Sequence, residues 1–178
     1  LFRSVSNTSS TIKWRKGPRI APGLSYPTVY RIHGDKELIY YRTGGHISSW
    51  TYRISEDNGQ TWVGTENDVT DLDSNGRLDW SSYQTKLPSR DGKYLHVVYP
   101  DYDDNKTTPD PKRFFNPRYN DELSNEWKYN LSYVKIDLAT HAVSNSSGDV
   151  LKTPTHPHYL CEHRTICDPT LHWQRNPH

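Results

Sequence analysis

The sequence has no methionine, two cysteines and three phenylalanines in 178 residues. With Leu rather than Met at position 1, the expectation is an N-terminus that has been processed or is missing its start. Leu, Ile, Val and Phe fill only 33 positions, close to the level at which chains stay disordered for want of apolar surface. The other half of that signature, high net charge, is missing: 22 Lys and Arg stand against 21 Asp and Glu. The same balance removes the clustered cation excess on which nucleic-acid binding draws. No apolar run approaches the ~20 residues of a membrane span, and no charged segment with an apolar stretch marks a signal peptide. Neither a nucleic acid nor a membrane is therefore expected as a partner. What the chain does hold is aromatic. Thirteen Tyr and six Trp supply the bulk that the aliphatic count misses, so burial rests on rings.

Strand signals dominate the order of residues. Tyr26 to Ile32, Glu37 to Arg42, Trp50 to Ser55, Tyr94 to Tyr99 and Leu131 to Ile136 are short runs rich in Tyr, Val and Ile. His33-Gly34-Asp35, Asp57-Asn58-Gly59, Asp91-Gly92 and Ser147-Gly148-Asp149 separate them and supply the positive φ of hairpin turns. A helical i, i+3, i+4 stripe of useful length is absent, and the chain reads as all-β. Ser25-Tyr26-Pro27-Thr28 and Ser82-Tyr83-Gln84-Thr85 each open a strand, a Gly-Asp-Lys or Asp-Gly-Lys turn and a second strand, in registers 57 residues apart. A third start stands at Asp168-Pro169-Thr170-Leu171. Repeats of this size in short strands predict β-propeller blades. One blade covers residues 17–80 and a second covers 81–160, with an insertion over 100–127. The start of another occupies 165–178. The insertion is rich in Asp, Asn, Pro and Arg and reads as a surface loop. Tyr26 and Tyr83 share a repeat position, which predicts a structural role for both.

Ser55-Glu56-Asp57-Asn58-Gly59-Gln60-Thr61-Trp62 fits S-x-D-x-G-x-x-W, the Asp-box. In such a turn Asp57 accepts backbone hydrogen bonds, Gly59 is left-handed and Trp62 packs beneath. With Tyr26 to Arg31, Tyr40 to His46 and Trp127 to Tyr133, the chain resembles the bacterial-neuraminidase-repeat propellers, in particular the propeller polysaccharide lyases that act on ulvan. The resemblance covers about residues 17 to 178. It implies a seven-bladed propeller, of which this chain would hold about two and a half blades, the remainder lying in the same or a separate chain.

The resemblance also implies β-elimination at a uronic acid in an acidic polysaccharide. The carboxylate is neutralised, the proton on C5 is removed and the leaving oxygen is protonated. A planar Arg fork suits the first task, and His or Tyr suits the others. His46 follows Gly44-Gly45 at a strand end, where a backbone can approach a ligand; an exposed loop His is the alternative. His96 lies within an apolar strand and is either catalytic or a satisfied core His. Arg42 would neutralise a carboxylate or pair with a neighbouring acid. Arg118 and Tyr119, in the insertion, place a cation beside a phenol, and a surface Arg–Asp pair is the bland reading. Tyr129, Asn130 and Tyr133 would line the same cleft as substrate-binding residues, unless they serve only packing.

His158, Cys161, His163 and Cys167, with His156 nearby, could hold one structural zinc. A Cys161–Cys167 disulfide and two free thiols are the other options, and no organic cofactor is expected. Four N-x-S/T sites, among them Asn145, are adequately explained by chance. The expected function is thus a secreted or periplasmic polysaccharide lyase. The alternatives are a sialidase-like glycoside hydrolase, for which no carboxylate pair is evident, and a non-catalytic carbohydrate-binding propeller.

Overall fold

In a computed structural model of the chain, the described residues are 2–4, 14–45, 48–71, 80–103, 114–116, 121–123, 128–155 and 165–167. They form strands and no helix, and therefore no helix long and apolar enough to cross a membrane. Strands β1 (Phe2–Ser4) and β2 (Trp14–Lys16) pair antiparallel. The first main sheet runs in chain order through β3 (Ser25–His33), β4 (Lys36–Arg42), β5 (Trp50–Ser55) and β6 (Val63–Gly64).

The second sheet begins with β7 (Trp80–Ser81) and β8 (Thr85–Pro88), which pair with opposite ends of β9 (Tyr94–Asp103). Next come β10 (Phe114–Asn116) and β11 (Asp121–Leu123), a separate antiparallel pair. β12 (Lys128–Asp137) then returns along β9, and β13 (Val143–Ser144) and β14 (Thr165–Cys167) both pair with it. The segment expected as an insertion loop thus starts later than Pro100, because β9 continues to Asp103, and it carries a strand pair. All five expected strands are present, and Gly34, Gly59, Gly92 and Gly148 all have positive φ, between 56° and 91°.

Side-chain alternation decides what packs where. Leu38, Tyr40, Trp50, Tyr52 and Ile54 of the first sheet meet Leu95, Val97, Tyr99, Val134 and Ile136 of the second in one buried core. Ile39 and Tyr41 point to the other face of β4 and cluster with Ile20, Ala21 and Trp62. Polar bonds cross between the sheets. Trp50 Nε1 donates to Ser82 O at 3.2 Å, and the Tyr40 hydroxyl donates to Gln84 Oε1. The Gln84 amide donates in turn to Thr70 Oγ1 and Ser82 Oγ, both at 3.0 Å. Leaving one such buried group unpaired costs about 1–3 kcal/mol, so the network fixes how the sheets meet as well as holding them together. Tyr52 reaches across at the far end, its hydroxyl 2.7 Å from His141 Nδ1.

The turn after β5 is built from its own polar side chains. Asp57 Oδ1 accepts from Gln60 N at 3.0 Å and Thr61 N at 2.8 Å, while Ser55 Oγ accepts from Gly59 N at 2.7 Å. The Thr61 hydroxyl donates to Asp57 Oδ2 at 2.6 Å, and this bond, followed by those from Thr61 N, the Ser55 hydroxyl and Gln60 N, draws the Asp57 carboxyl down to about 2. Trp62 closes the turn from below by donating to Gly59 O at 3.2 Å.

Candidate active site

A β-bulge places the principal aromatic of the site. Ser25 pairs with Arg42 and Thr28 with Tyr40, so Tyr26 and Pro27 together stand opposite the single residue Tyr41. Pro27 has no N–H for the ladder, which is why the irregularity falls here, and a bulge re-aims the side chains it carries. Tyr26 takes φ 51°, a left-handed value that costs a non-glycine residue roughly 1–2 kcal/mol. The result is a phenol that is 53 % exposed yet sits against a cation, with the Arg42 guanidinium carbon 4.8 Å from its ring centre.

Arg42, at the end of β4, is only 4 % exposed and is ringed by aromatics. The Trp50 and Tyr83 ring centres lie 6.0 Å and 5.8 Å from its guanidinium carbon. Tyr83 meets Tyr26 edge to face at 5.5 Å. Arg42 Nε donates to Ser25 Oγ at 3.2 Å, and Ser25 Oγ donates to Gly44 O at 2.6 Å. Burial, and then a hydrogen bond with Tyr26, push the Tyr83 phenol upward; a hydrogen bond from Arg42 opposes them. Tyr83 is thus held as the neutral phenol at neutral pH.

A second cation borders the same indole. Lys86 Nζ lies 5.0 Å from the Trp50 ring centre and 5.6 Å from that of Tyr40, and burial pulls its ammonium below the ordinary lysine value. Each cation–ring contact contributes about 0.5–2 kcal/mol, the more so when desolvated. Arg42, Tyr26, Tyr83 and Trp50 therefore form a positively charged, aromatic-walled cluster where the two sheets meet, and Lys86 lies against the indole of that cluster. Such a cluster can bind a carboxylate against a flat sugar face and offers two phenols for proton transfer.

Of the residues singled out from sequence, Arg42 stands at the centre of this cluster. His96 and Tyr133 are brought together elsewhere. His96 Nδ1 lies 2.8 Å from the Tyr133 hydroxyl, with the rings stacked at 6.0 Å. Both alternate with buried residues, Leu95 and Val97 on β9 and Ser132 and Val134 on β12, so they occupy the face of the second sheet turned away from the core. Burial raises the Tyr133 phenol. The pair is separated from Arg42 by its own sheet, so His96 is neither a member of the core nor a neighbour of Arg42. Tyr129 and Asn130 are known by strand position alone, at a register shift of β12 against β9, and Cys167 likewise on β14. His46, Arg118, Tyr119, His158, Cys161 and His163 lie outside the described residues, and among the described residues no group of His, Cys, Asp or Glu could hold a metal ion.

The repeat reading gave Tyr26 and Tyr83 a structural role only and did not single out Lys86. Tyr26 and Tyr83 are equivalent in the repeat, but both turn toward one guanidinium. The available signal was Pro27, a proline just inside a strand, which marks a bulge. Asn145 is also settled. It is 3 % exposed, its Oδ1 accepts from Ser147 N and Asp149 N, and its Nδ2 donates to Asp149, so the amide belongs to its turn.

No family model and no curated protein matches this sequence. Solved structures do. One, described as a new family of polysaccharide lyase, PL25 ulvan lyase, superposes with a TM-score of 0.66 at 21 % identity, over 84 % of this chain and 32 % of that one. Another, of the same lyase bound to -[GlcA(1-4)Rha3S]-, gives 0.65 at 20 % identity over the same shares. This chain spans about a third of the length of those structures, and at such identity the likeness establishes the fold: an all-β chain with strands laid out as in the ulvan-lyase structures.

Proposed function

We propose that this chain forms part of a secreted, Asp-box β-propeller lyase that cleaves a uronate-containing, ulvan-like polysaccharide by β-elimination. The observation that carries the reading is Arg42, a buried guanidinium walled by Tyr26, Tyr83 and Trp50. The all-β likeness to the ulvan-lyase structures supports it. Arg42 pairs with the uronate carboxylate, so that negative charge developing there as the C5 proton leaves is neutralised where it forms. The C5–H electrons become the new C4–C5 double bond, and the C4–O bond breaks with its pair going to oxygen. His46, two residues beyond Gly44 in the sequence, takes the C5 proton, and Tyr26, the more exposed phenol, gives its proton to the departing oxygen. Tyr83, raised by burial, lies edge to face beside Tyr26.

Product chemistry tests this reading. Full-length protein incubated with ulvan and other uronate polymers is expected to generate the absorbance of a conjugated uronate alkene. New reducing ends without that absorbance would instead assign hydrolysis. Retention of the polymer with neither signal would assign binding alone.

A further inference from the structure

We infer that Ser25 is the positioning residue of this site, holding the Arg42 guanidinium in the orientation that receives the carboxylate. The inference rests on the reading of Arg42 as the carboxylate partner, but its geometry stands by itself. A serine hydroxyl has one proton to give and lone pairs to receive, and both are used. Arg42 Nε–H donates to Ser25 Oγ at 3.2 Å, and the Ser25 hydroxyl donates onward to Gly44 O at 2.6 Å. Donors and acceptors run in one direction, an arrangement in which each bond polarises the next. With Nε committed to Ser25, the guanidinium cannot rotate about its own stem without breaking that bond.

The anchor at the other end is itself fixed. A Cβ on Gly23 would lie 2.5 Å from Thr43 O, and one on Gly44 would lie 2.8 Å from Ser48 Oγ. Thr43 N and Oγ1 both donate to Ser49 O, at 2.8 and 3.1 Å. Gly23 thus packs against the Thr43 backbone and Gly44 against the Ser48 hydroxyl, and Ser25 ties Arg42 to the Gly44 carbonyl of this closely packed segment. Placement matters because a misplacement of about 1 Å can cost roughly a hundredfold in rate.

Three variants of the full-length protein test the inference: Ser25→Thr keeps the hydroxyl, Ser25→Val removes it at the volume of threonine, and Ser25→Ala removes it at close to the volume of serine. Two readouts are followed. The first is the titration of the Tyr83 phenol by NMR of ring-labelled tyrosine, assigned with Tyr83→Phe; it reports the Arg42 contact without any substrate. The second is the kcat and KM of unsaturated-product formation. The expectation is that Val and Ala move the Tyr83 titration to higher pH, as the Arg42 contact weakens. They should also lower kcat by roughly ten- to a hundredfold with a smaller change in KM, because the carboxylate gains charge in the transition state. Thr should restore both. If Val and Ala titrate and turn over as the parent does, Ser25 does not position Arg42 and the inference is overturned. If the parent makes no unsaturated product yet Val and Ala still shift Tyr83 while Thr does not, elimination fails as the function and the positioning role of Ser25 stands.

Discussion

Arg42 contributes geometry as much as charge. Its planar fork is bonded through Nε to Ser25 and lies against the rings of Tyr26 and Tyr83, so a flexible ammonium is no substitute. Arg42→Lys is expected to keep the fold and lose roughly a hundredfold in turnover, checked by comparing thermal melts with initial rates. Asp57 shows the complementary case, in which a charge serves structure. Its carboxyl lies at about 2 in the folded chain against 3.8 ordinarily, so the folded state binds the proton more weakly than the unfolded one. The stability it contributes is fully present above 3.8 and is lost as pH falls through about 2. Melts recorded between neutral pH and pH 2 should show Asp57→Asn less stable than the parent at neutral pH. The two should converge at the acid end.

At the scale of strands and turns, the sequence was most legible where chemistry is local. Gly-containing turns and alternating Tyr, Val and Ile located β3, β4, β5, β9 and β12, because φ > 0 and a two-residue period are written in neighbouring residues. The bulge at Tyr26-Pro27 was written there too, yet its consequence depends on Arg42, sixteen positions later, and on Tyr83 in the link between β7 and β8. A repeat suggests that equivalent residues do equivalent work. Here they converge on one guanidinium, one from a bulged strand and one from a link between strands, which no one-dimensional pattern displays. Turns also differ in what surrounds them. Gly92 has φ 69°, and a Cβ on it would lie 2.8 Å from Ile32 Cγ2, whereas Gly148 has φ 91° and open space around it. Gly148→Ala should cost only the left-handed penalty of about 1–2 kcal/mol. Gly92→Ala should cost more, since it adds a clash between the sheets; denaturant midpoints of the two variants give the comparison.

For the whole molecule, the shortage of aliphatic residues is met by rings placed at the contact between sheets. Tyr40, Trp50, Tyr52 and Tyr99 lie in one core with Leu95, Val97 and Ile136, and their polar atoms carry the Tyr40–Gln84 and Trp50–Ser82 bonds. Leu95→Ala, at a position with no exposed surface, is expected to destabilise by about 2–5 kcal/mol, measured by chemical denaturation. The central claim joins this architecture to chemistry: the junction of the two sheets presents Arg42 to a uronate carboxylate. The direct test is the rate of unsaturated-uronate formation from ulvan by full-length protein carrying Arg42→Ala, beside the parent. The account predicts a product absorbance that rises with the parent and falls by roughly a hundredfold or more in the variant, with the fold retained. A variant that keeps most of the parent's rate would contradict it.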